Sequence, residues 1–210
     1  MIPDNININA FNAWALKDKD EGMEKGHAPS VNMMFDLIGE NTPLFNSSFK
    51  AIDFGCGNGW VIKKFLSNKN CKYALGIDGA PAMIDKAKKL DLKNSDFINA
   101  DIEEWESTQK FDIIFSMETF YYFKDINKVL SNIYNNIIYD EGFIVIGIDH
   151  YLENEASLSW DKEFDLSLNS LSISDWINIF QNNGFKNVQS TIYGAKENWN
   201  GTLILYANKI

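Results

Sequence analysis

Residues 50–66 restrict the fold of this chain more than any other stretch. Lys50-Ala-Ile-Asp-Phe-Gly-Cys-Gly-Asn-Gly59 reads as a short buried strand running straight into a glycine loop, and the residues from Trp60 onward read as the helix that follows. In that helix Trp60, Val61, Phe65 and Leu66 flank Lys63 and Lys64 at the spacing of a one-faced helix. Glycines at 55, 57 and 59 permit positive φ and let a ligand approach backbone without a Cβ in the way. The combination predicts a close-contact surface for a nucleotide-like ligand.

The spacing separates two ligand classes. A dinucleotide fingerprint runs G-x-G-x-x-G, with the pyrophosphate on the helix N-terminus. Here the loop is G-x-G-x-G, and the bulky Trp60 stands where the third fingerprint glycine would allow close helix–strand packing. Asp53, two residues before the first glycine, would repel phosphates but suits the ammonium of a methionine moiety. The run Ile52-Asp-Phe-Gly-Cys-Gly-Asn-Gly59 resembles motif I of the class I S-adenosylmethionine-dependent methyltransferases.

Downstream, strand and helix patterns alternate. Tyr73–Asp78 reads as a second strand, about Pro81–Leu90 as a helix opened by proline, Asp96–Ala100 as a third strand and Phe111–Met117 as a fourth. A helix from about Lys124 to Ile138, a turn at Asp140-Glu-Gly142 and a strand from Phe143 to Asp149 follow. Ser174 is expected to cap a helix over 175–183 that Gly184 ends, before strands at Lys186–Tyr193 and Thr202–Asn208. This alternation predicts an α/β open sheet with helices on both faces and the ligand at the carboxyl ends of the strands. The resemblance makes it a Rossmann-like seven-stranded methyltransferase sheet whose last strand is antiparallel. Before the glycine loop, Ala10–Lys19 looks helical, Glu21–Ser30 with Gly22, Gly26 and Pro29 looks like a break, and a second helix starts near Ser30. The whole, 1–210, is read as one domain, with 1–48 a helical extension or lid and 150–173 a lid insertion over the substrate.

Position along the strands nominates the site. Asp78 lies about 20 residues beyond the glycine loop, placed to hydrogen-bond both ribose hydroxyls, a role compatible with capping the next helix. The resemblance assigns Asp101 and the backbone of Ile102 to the adenine, and adds Gly55, Cys56, Gly57, Asn58, Gly79, Met117 and Trp14 to the cofactor contacts. Glu104, three residues after Asp101, gives that acid a competing reading as the start of a capped helix. After the fourth strand the chain reads Ser116-Met-Glu-Thr119. The Asp/Asn-Pro-Pro-Tyr/Phe run of nucleobase and glutamine amino-methyltransferases is absent, as is the strand-end Asp with which the catechol type holds a divalent metal, so no metal is expected. What remains is methyl transfer to an O- or N-atom of a small molecule, with a catalytically silent S-adenosylmethionine-binding module or partner subunit as the alternative. A nicotinamide dehydrogenase ranks lower because of Trp60 and the terminal strands.

For an acceptor that must lose a proton, His150, Tyr151 and His27 are the candidate bases. Glu118, Tyr121, Tyr122 and Trp160 are the candidate substrate contacts, with Phe120 and Phe123 expected in the core. The tyrosines and tryptophans could wall a pocket for an aromatic ring or for a cationic amine. A formal charge of −10 argues against a nucleic-acid partner, and Lys86, Lys88 and Lys89 read as a solvated helix face. No apolar run is long enough to cross a bilayer, no secretory signal is recognisable and there are two cysteines, so a cytoplasmic protein is expected, monomeric or homodimeric, with a small-molecule partner and no membrane.

Overall fold

The computed structural model describes residues 5–210; residues 1–4, where the N-terminal extension begins, lie outside the described residues. Strands β1 (Phe49–Phe54), β2 (Cys71–Asp78), β3 (Ser95–Asn99), β4 (Phe111–Met117), β5 (Ile138–Ile148), β6 (Lys186–Tyr193) and β7 (Thr202–Asn208) form one sheet. Its order is β3-β2-β1-β4-β5-β7-β6. All pairs up to β5 are parallel, and β7 lies antiparallel between β5 and β6. The expected seven-stranded sheet with an antiparallel last strand is therefore present.

Alternation along the strands builds two cores. Ile52, Phe54, Ile114, Ile144 and Ile146 point to one face, against α5 (Ile126–Asn132) and α7 (Ile173–Asn182), with Leu130, Trp176 and Phe180 fully buried there. Ala51, Ile113, Phe115 and Val145 point to the other, against α2 (Asp20–Asn41) and α3 (Trp60–Leu66), with Val31, Met34, Ile38 and Phe65. Covering the central strands on both faces is why they read as near-continuous apolar runs. A smaller cluster joins α1 (Ile6–Ala15) to α4 (Pro81–Lys88) through Phe11, Ala15 and Met83. Among the described residues no helix is long and apolar enough to cross a membrane.

Three local expectations are corrected. The break over 21–30 does not form: α2 runs unbroken through Gly22, Gly26 and Pro29. Pro29 lies on the exposed side, where the carbonyl deprived of its N–H partner meets water, while Val31, Met34 and Ile38 anchor the other side. Ser30 is mid-helix rather than at a cap, its hydroxyl 2.7 Å from that of Thr202. The helix after β4 is regular only over Ile126–Asn132 and widens into a π turn at Ile133–Ile137. β5 already pairs at Ile138, and the expected turn at 140–142 is a bulge within it, with Glu141 at φ 65°. Finally Ser172, not Ser174, caps α7, its hydroxyl accepting from Asp175 N–H while the Asp175 carboxylate accepts from Ser172 N–H, both at 3.1 Å.

Candidate active site

The carboxyl ends of β1, β2 and β4 open into a cavity of about 810 Å³, inside the roughly 300–1,000 Å³ of small-molecule sites. The glycine loop forms its floor, and the glycines divide the work. Gly55 has φ +78°, and a Cβ there would lie 1.9 Å from Thr119 Oγ1, so this glycine makes room for the loop after β4. Gly59, at φ +87°, lets α3 close onto β3, since a Cβ would meet Phe97 at 2.8 Å. The close packing expected to be lost to Trp60 is thus supplied one residue earlier. Gly57 is the glycine whose α-carbon faces open space, with Met83 Sδ the nearest atom at 3.9 Å.

Three acids from the sequence reading stand around this floor. Asp53 is 2% exposed and its Oδ1 has no hydrogen-bond partner. Burial, reinforced by Asp78, pushes its carboxyl well above the usual carboxylate range. Asp78 accepts from Gly57 N–H at 2.9 Å and from Ala80 N–H at 2.8 Å. Burial pushes it up to about 6, against the pull of those two N–H groups. It does not cap α4, whose N-cap is Ala80; it braces the glycine loop instead. Asp101 accepts from Glu103 N–H at 3.1 Å in a turn that no helix follows, and Glu104 reaches away to Lys128 at 2.6 Å, so the capped helix start does not form. Asp101 and the nearly buried Ile102 both line the cavity.

The other cofactor candidates fall in place around them. Cys56 donates its N–H to Ile77 O at 3.0 Å, and burial keeps its thiol neutral. Asn58 Nδ2 donates to Asp20 Oδ2 at 3.1 Å, and Asp20 Oδ1 takes Lys86 Nζ at 2.6 Å. That clasp fastens the first turn of α2 over the loop. It also corrects Lys86, which is paired with Asp20 and Asp18 rather than free on a solvated face. Gly79 touches Ile8 of α1, and Trp14 and Met117 line the same space. Asp20 was not foreseen because an acid opening a helix is commonplace.

Past β4 the backbone turns through Glu118 at φ 58°, aiming its carboxylate inward. It accepts from Tyr121 Oη–H and from Asp149 N–H, both at 2.5 Å. Burial, with Asp149 adding to it, pushes Glu118 well above the usual range. Tyr121 and Tyr122 oxygens lie 3.1 Å apart and both rings line the cavity; Phe120 is core as expected, whereas Phe123, nearly buried, also reaches the cavity wall. His27 stands on the wall with Nδ1 3.8 Å from Asp149 Oδ2. Burial lowers its imidazole below its ordinary value, and Asp149 opposes that shift. Asp149 Oδ1 is buried without a partner. This acid was missed, although the alternation of β5 carries a signal: it shares the parity of Val145 and Gly147, which face α2.

The same parity corrects His150; Tyr151 has the parity of Asp149, but it lies past the end of β5, where the chain bends. Both turn away from the cavity into the opposite face of the sheet, His150 bonding Ser157 O at 3.0 Å and Ser170 Oγ at 2.8 Å, and Tyr151 donating to Gly201 O at 3.1 Å. They hold the 150–173 segment rather than facing a substrate. That segment forms a helical turn at Glu155–Ser157 and α6 (Trp160–Phe164), and it presents Trp160, Phe164 and Leu166 to the cavity. Asn7 of α1 ties it down, donating to Tyr122 O at 3.2 Å and Ser167 O at 2.8 Å and accepting from Ser167 N–H at 2.9 Å. Through these bonds α1 and the 150–173 segment meet at the edge of the cavity.

With this geometry in place, comparison with known proteins finds a match over residues 26–190 to the family model described as a methyltransferase domain. The chain belongs to the methyltransferase domain family. It is 33% identical over 132 residues to a malonyl-[acyl-carrier protein] O-methyltransferase of Bacillus anthracis, covering 61% of this chain and 49% of that protein. It is 29% identical over 127 residues to a trans-aconitate 2-methyltransferase of Escherichia coli, covering 58% and 49% respectively. The chain spans about half the length of the curated relatives it matches. In fold it is similar to a Haloferax volcanii methyltransferase solved in complex with the Trm112 activator, with a TM-score of 0.81 at 22% identity, over 94% of this chain and 96% of that one. With the family comes its cofactor, S-adenosylmethionine, and the residues fit it. The partnerless Asp53 Oδ1 suits an ammonium, Asp78 and Asp101 retain lone pairs toward the cavity, and Gly57 leaves its face of the loop open.

Proposed function

We propose that this methyltransferase moves the methyl group of S-adenosylmethionine to an oxygen or nitrogen of a small-molecule acceptor, working as a single domain over 1–210. In this reading residues up to 48 form the N-terminal half of a cover and 150–173 the other half. The observation that carries it is one cavity lined by Asp53, Asp78 and Asp101 together with Met117, Glu118, His27 and the two tyrosines.

When bound, the cofactor supplies an electrophilic methyl on a sulfonium. Asp53 would take its ammonium, Asp78 its ribose hydroxyls, and Asp101 with the Ile102 backbone its adenine. Displacement at that methyl needs alignment and exclusion of water more than acid–base machinery. Tyr122, Trp14, Trp160 and Phe164 would exclude water on the acceptor side. His27, neutral near pH 7 because burial lowers it, would receive a proton from an acceptor that has to lose one, and Asp149 would stabilise the imidazolium formed.

Calorimetry with S-adenosylmethionine and with its demethylated product tests binding, and transfer of labelled methyl to a metabolite extract tests the reaction. Absence of binding by both at millimolar concentration refutes the reading. Binding without any transfer favours the silent-module alternative.

A further inference from the structure

The acceptor end of the cavity has a composition that its cofactor end does not require. Six aromatic rings follow one another along its wall, each within contact of the next. Tyr121 and Tyr122 have ring centroids 4.3 Å apart, Tyr122 and Phe11 5.1 Å, Phe11 and Trp14 5.0 Å, Trp14 and Phe164 5.8 Å, and Phe164 and Trp160 6.4 Å. The rings come from three separate parts of the chain: α1, the turn after β4, and α6. At one end of the arc Tyr121 donates to the half-buried Glu118 carboxylate, and Asp149 stands behind it with one oxygen unpartnered.

Positive charge is scarce here. All 19 basic residues of the sequence are lysines, so the chain has no guanidinium to grip a carboxylate. Among the described residues Lys19 is the one lysine lining the cavity, and its ammonium already lies over the Trp14 ring, 5.6 Å from the centroid. Lys86, the nearest alternative below, is committed to Asp18 and Asp20. The remaining titratable groups at this end are His27, Tyr121 and Tyr122, none cationic near neutral pH.

Building on the methyltransferase reading, we propose that the acceptor is a small amine bound as a cation, its ammonium held between the aromatic arc and the Glu118 carboxylate. An aromatic face attracts a cation through its quadrupole, and the attraction grows when water is excluded. A buried carboxylate without a counter-charge is unfavourable until a cation arrives to compensate it. Glu118 and Asp149, both pushed up by burial, would therefore return toward ordinary acidity when the amine binds, releasing protons. An acidic acceptor brings no positive charge, so its own charge would stand beside two carboxyls with nothing to compensate it. The acceptors named for the relatives, malonyl-[acyl-carrier protein] and trans-aconitate, are on this ground not the acceptor class of this cavity.

In the reaction the ammonium first gives one proton to the neutral His27 imidazole. The freed nitrogen lone pair then forms a bond to the sulfonium methyl carbon as the carbon–sulfur bond breaks, its electron pair staying on sulfur. The products are a methylated ammonium, a neutral thioether and the imidazolium of His27 beside Asp149.

The test uses the full chain saturated with S-adenosylhomocysteine, with tetramethylammonium chloride and sodium acetate as probes at matched ionic strength. Trp14 and Trp160 lie on the arc, so tryptophan fluorescence reports occupancy. Tetramethylammonium should quench saturably and acetate should not. Trp14→Leu should weaken tetramethylammonium binding about threefold to thirtyfold, while Trp14→Phe should recover most of it. Glu118→Gln should weaken it as well, with thermal unfolding confirming that each variant folds. Acetate binding as well as tetramethylammonium, or equal affinity in Trp14→Leu and Trp14→Phe, overturns the proposal. In a second arm, labelled S-adenosylmethionine is offered with a pool of small amines and a pool of small carboxylic acids. Label in the amine pool supports the amine reading. Label confined to the acids overturns it while leaving the methyltransferase reading standing, whereas failure of S-adenosylhomocysteine to bind removes both.

Discussion

Asp78→Asn separates what this acid does for the loop from what it does for the ligand. The wild-type carboxylate takes two backbone N–H groups, from Gly57 and Ala80. An amide has one acceptor oxygen, so one of those donors must face an NH₂ in the variant. Relative to the neutral acid, losing one such bond costs about 0.5–1.5 kcal/mol. Against this, burial holds the folded pKa at about 6, above the ordinary 3.8. A raised carboxyl pKa means the folded state binds more protons than the unfolded one over this window. Its contribution is therefore fully present below pH 3.8 and is lost as pH rises through about 6. At pH 8 the wild type has lost about 3 kcal/mol in this way, a loss that Asn does not suffer. That loss is already net of the two N–H bonds, so the variant should be more stable than the wild type at pH 8 by about 1.5–2.5 kcal/mol. Moving to pH 5 returns about 1.4 kcal/mol to the wild type alone. The stability difference should thus shift by that amount toward the wild type between pH 8 and pH 5, as read by urea unfolding at both values. S-adenosylmethionine affinity at pH 8 should meanwhile fall by about 1–3 kcal/mol through weakened ribose bonds. A stability difference that is flat with pH, or that shifts the other way, refutes the linkage; unchanged affinity removes Asp78 from the ligand site.

Other substitutions test the remaining assignments. Gly55→Ala forces a Cβ to 1.9 Å from Thr119 Oγ1 at a positive φ, and should cost about 2–5 kcal/mol in chemical denaturation. Asp20→Ala frees Asn58 and Lys86, so hydrogen exchange should speed up in the first turns of α2 while the core helices stay protected. His150→Ala should lower stability by about 2–4 kcal/mol through two buried bonds and lost packing, yet leave cofactor affinity within error; a large affinity loss would return His150 to the site. Because His27 titrates below its ordinary value of 6.5, turnover should fall only on the acid side of that value, and His27→Gln should abolish that limb of the pH profile.

The sheet was legible because its signals are local: β4, β6 and β7 are bounded as their apolar runs and turn residues suggest, and the ligand acids sit at strand ends. What escaped was set by contacts distant in sequence. Gly22, Gly26 and Pro29 look like a break, but Val31, Met34 and Ile38 gain more from packing on the sheet than the helix loses at one exposed carbonyl. Asp140-Glu-Gly142 has turn composition but makes a bulge, inside a strand already paired at Ile138. His150 was drawn to the site by its position after β5, while the side-chain parity that turns it away and brings Asp149 in requires knowing which face of β5 meets α2. Trp14 and Trp160 were expected on a pocket wall, but Phe11 and Phe164 were not, because nothing local shows that α1 and α6, about 150 residues apart, fold back onto each other.

One rod joins roof to foundation in this molecule. α2 presents Met23 and His27 to the cavity at one end and wedges Met34 onto Gly147 at the other, where a Cβ on the glycine would come within 2.9 Å of the sulfur. From Met34 back to Asp20 the lever arm is about 21 Å. A rotation of about 10° at that fulcrum would swing the clasp by about 4 Å. Any such rotation would have to work against the Ser30–Thr202 contact and buried Val31, so altering Gly147 or Met34 should change ligand entry and exit only together with those contacts.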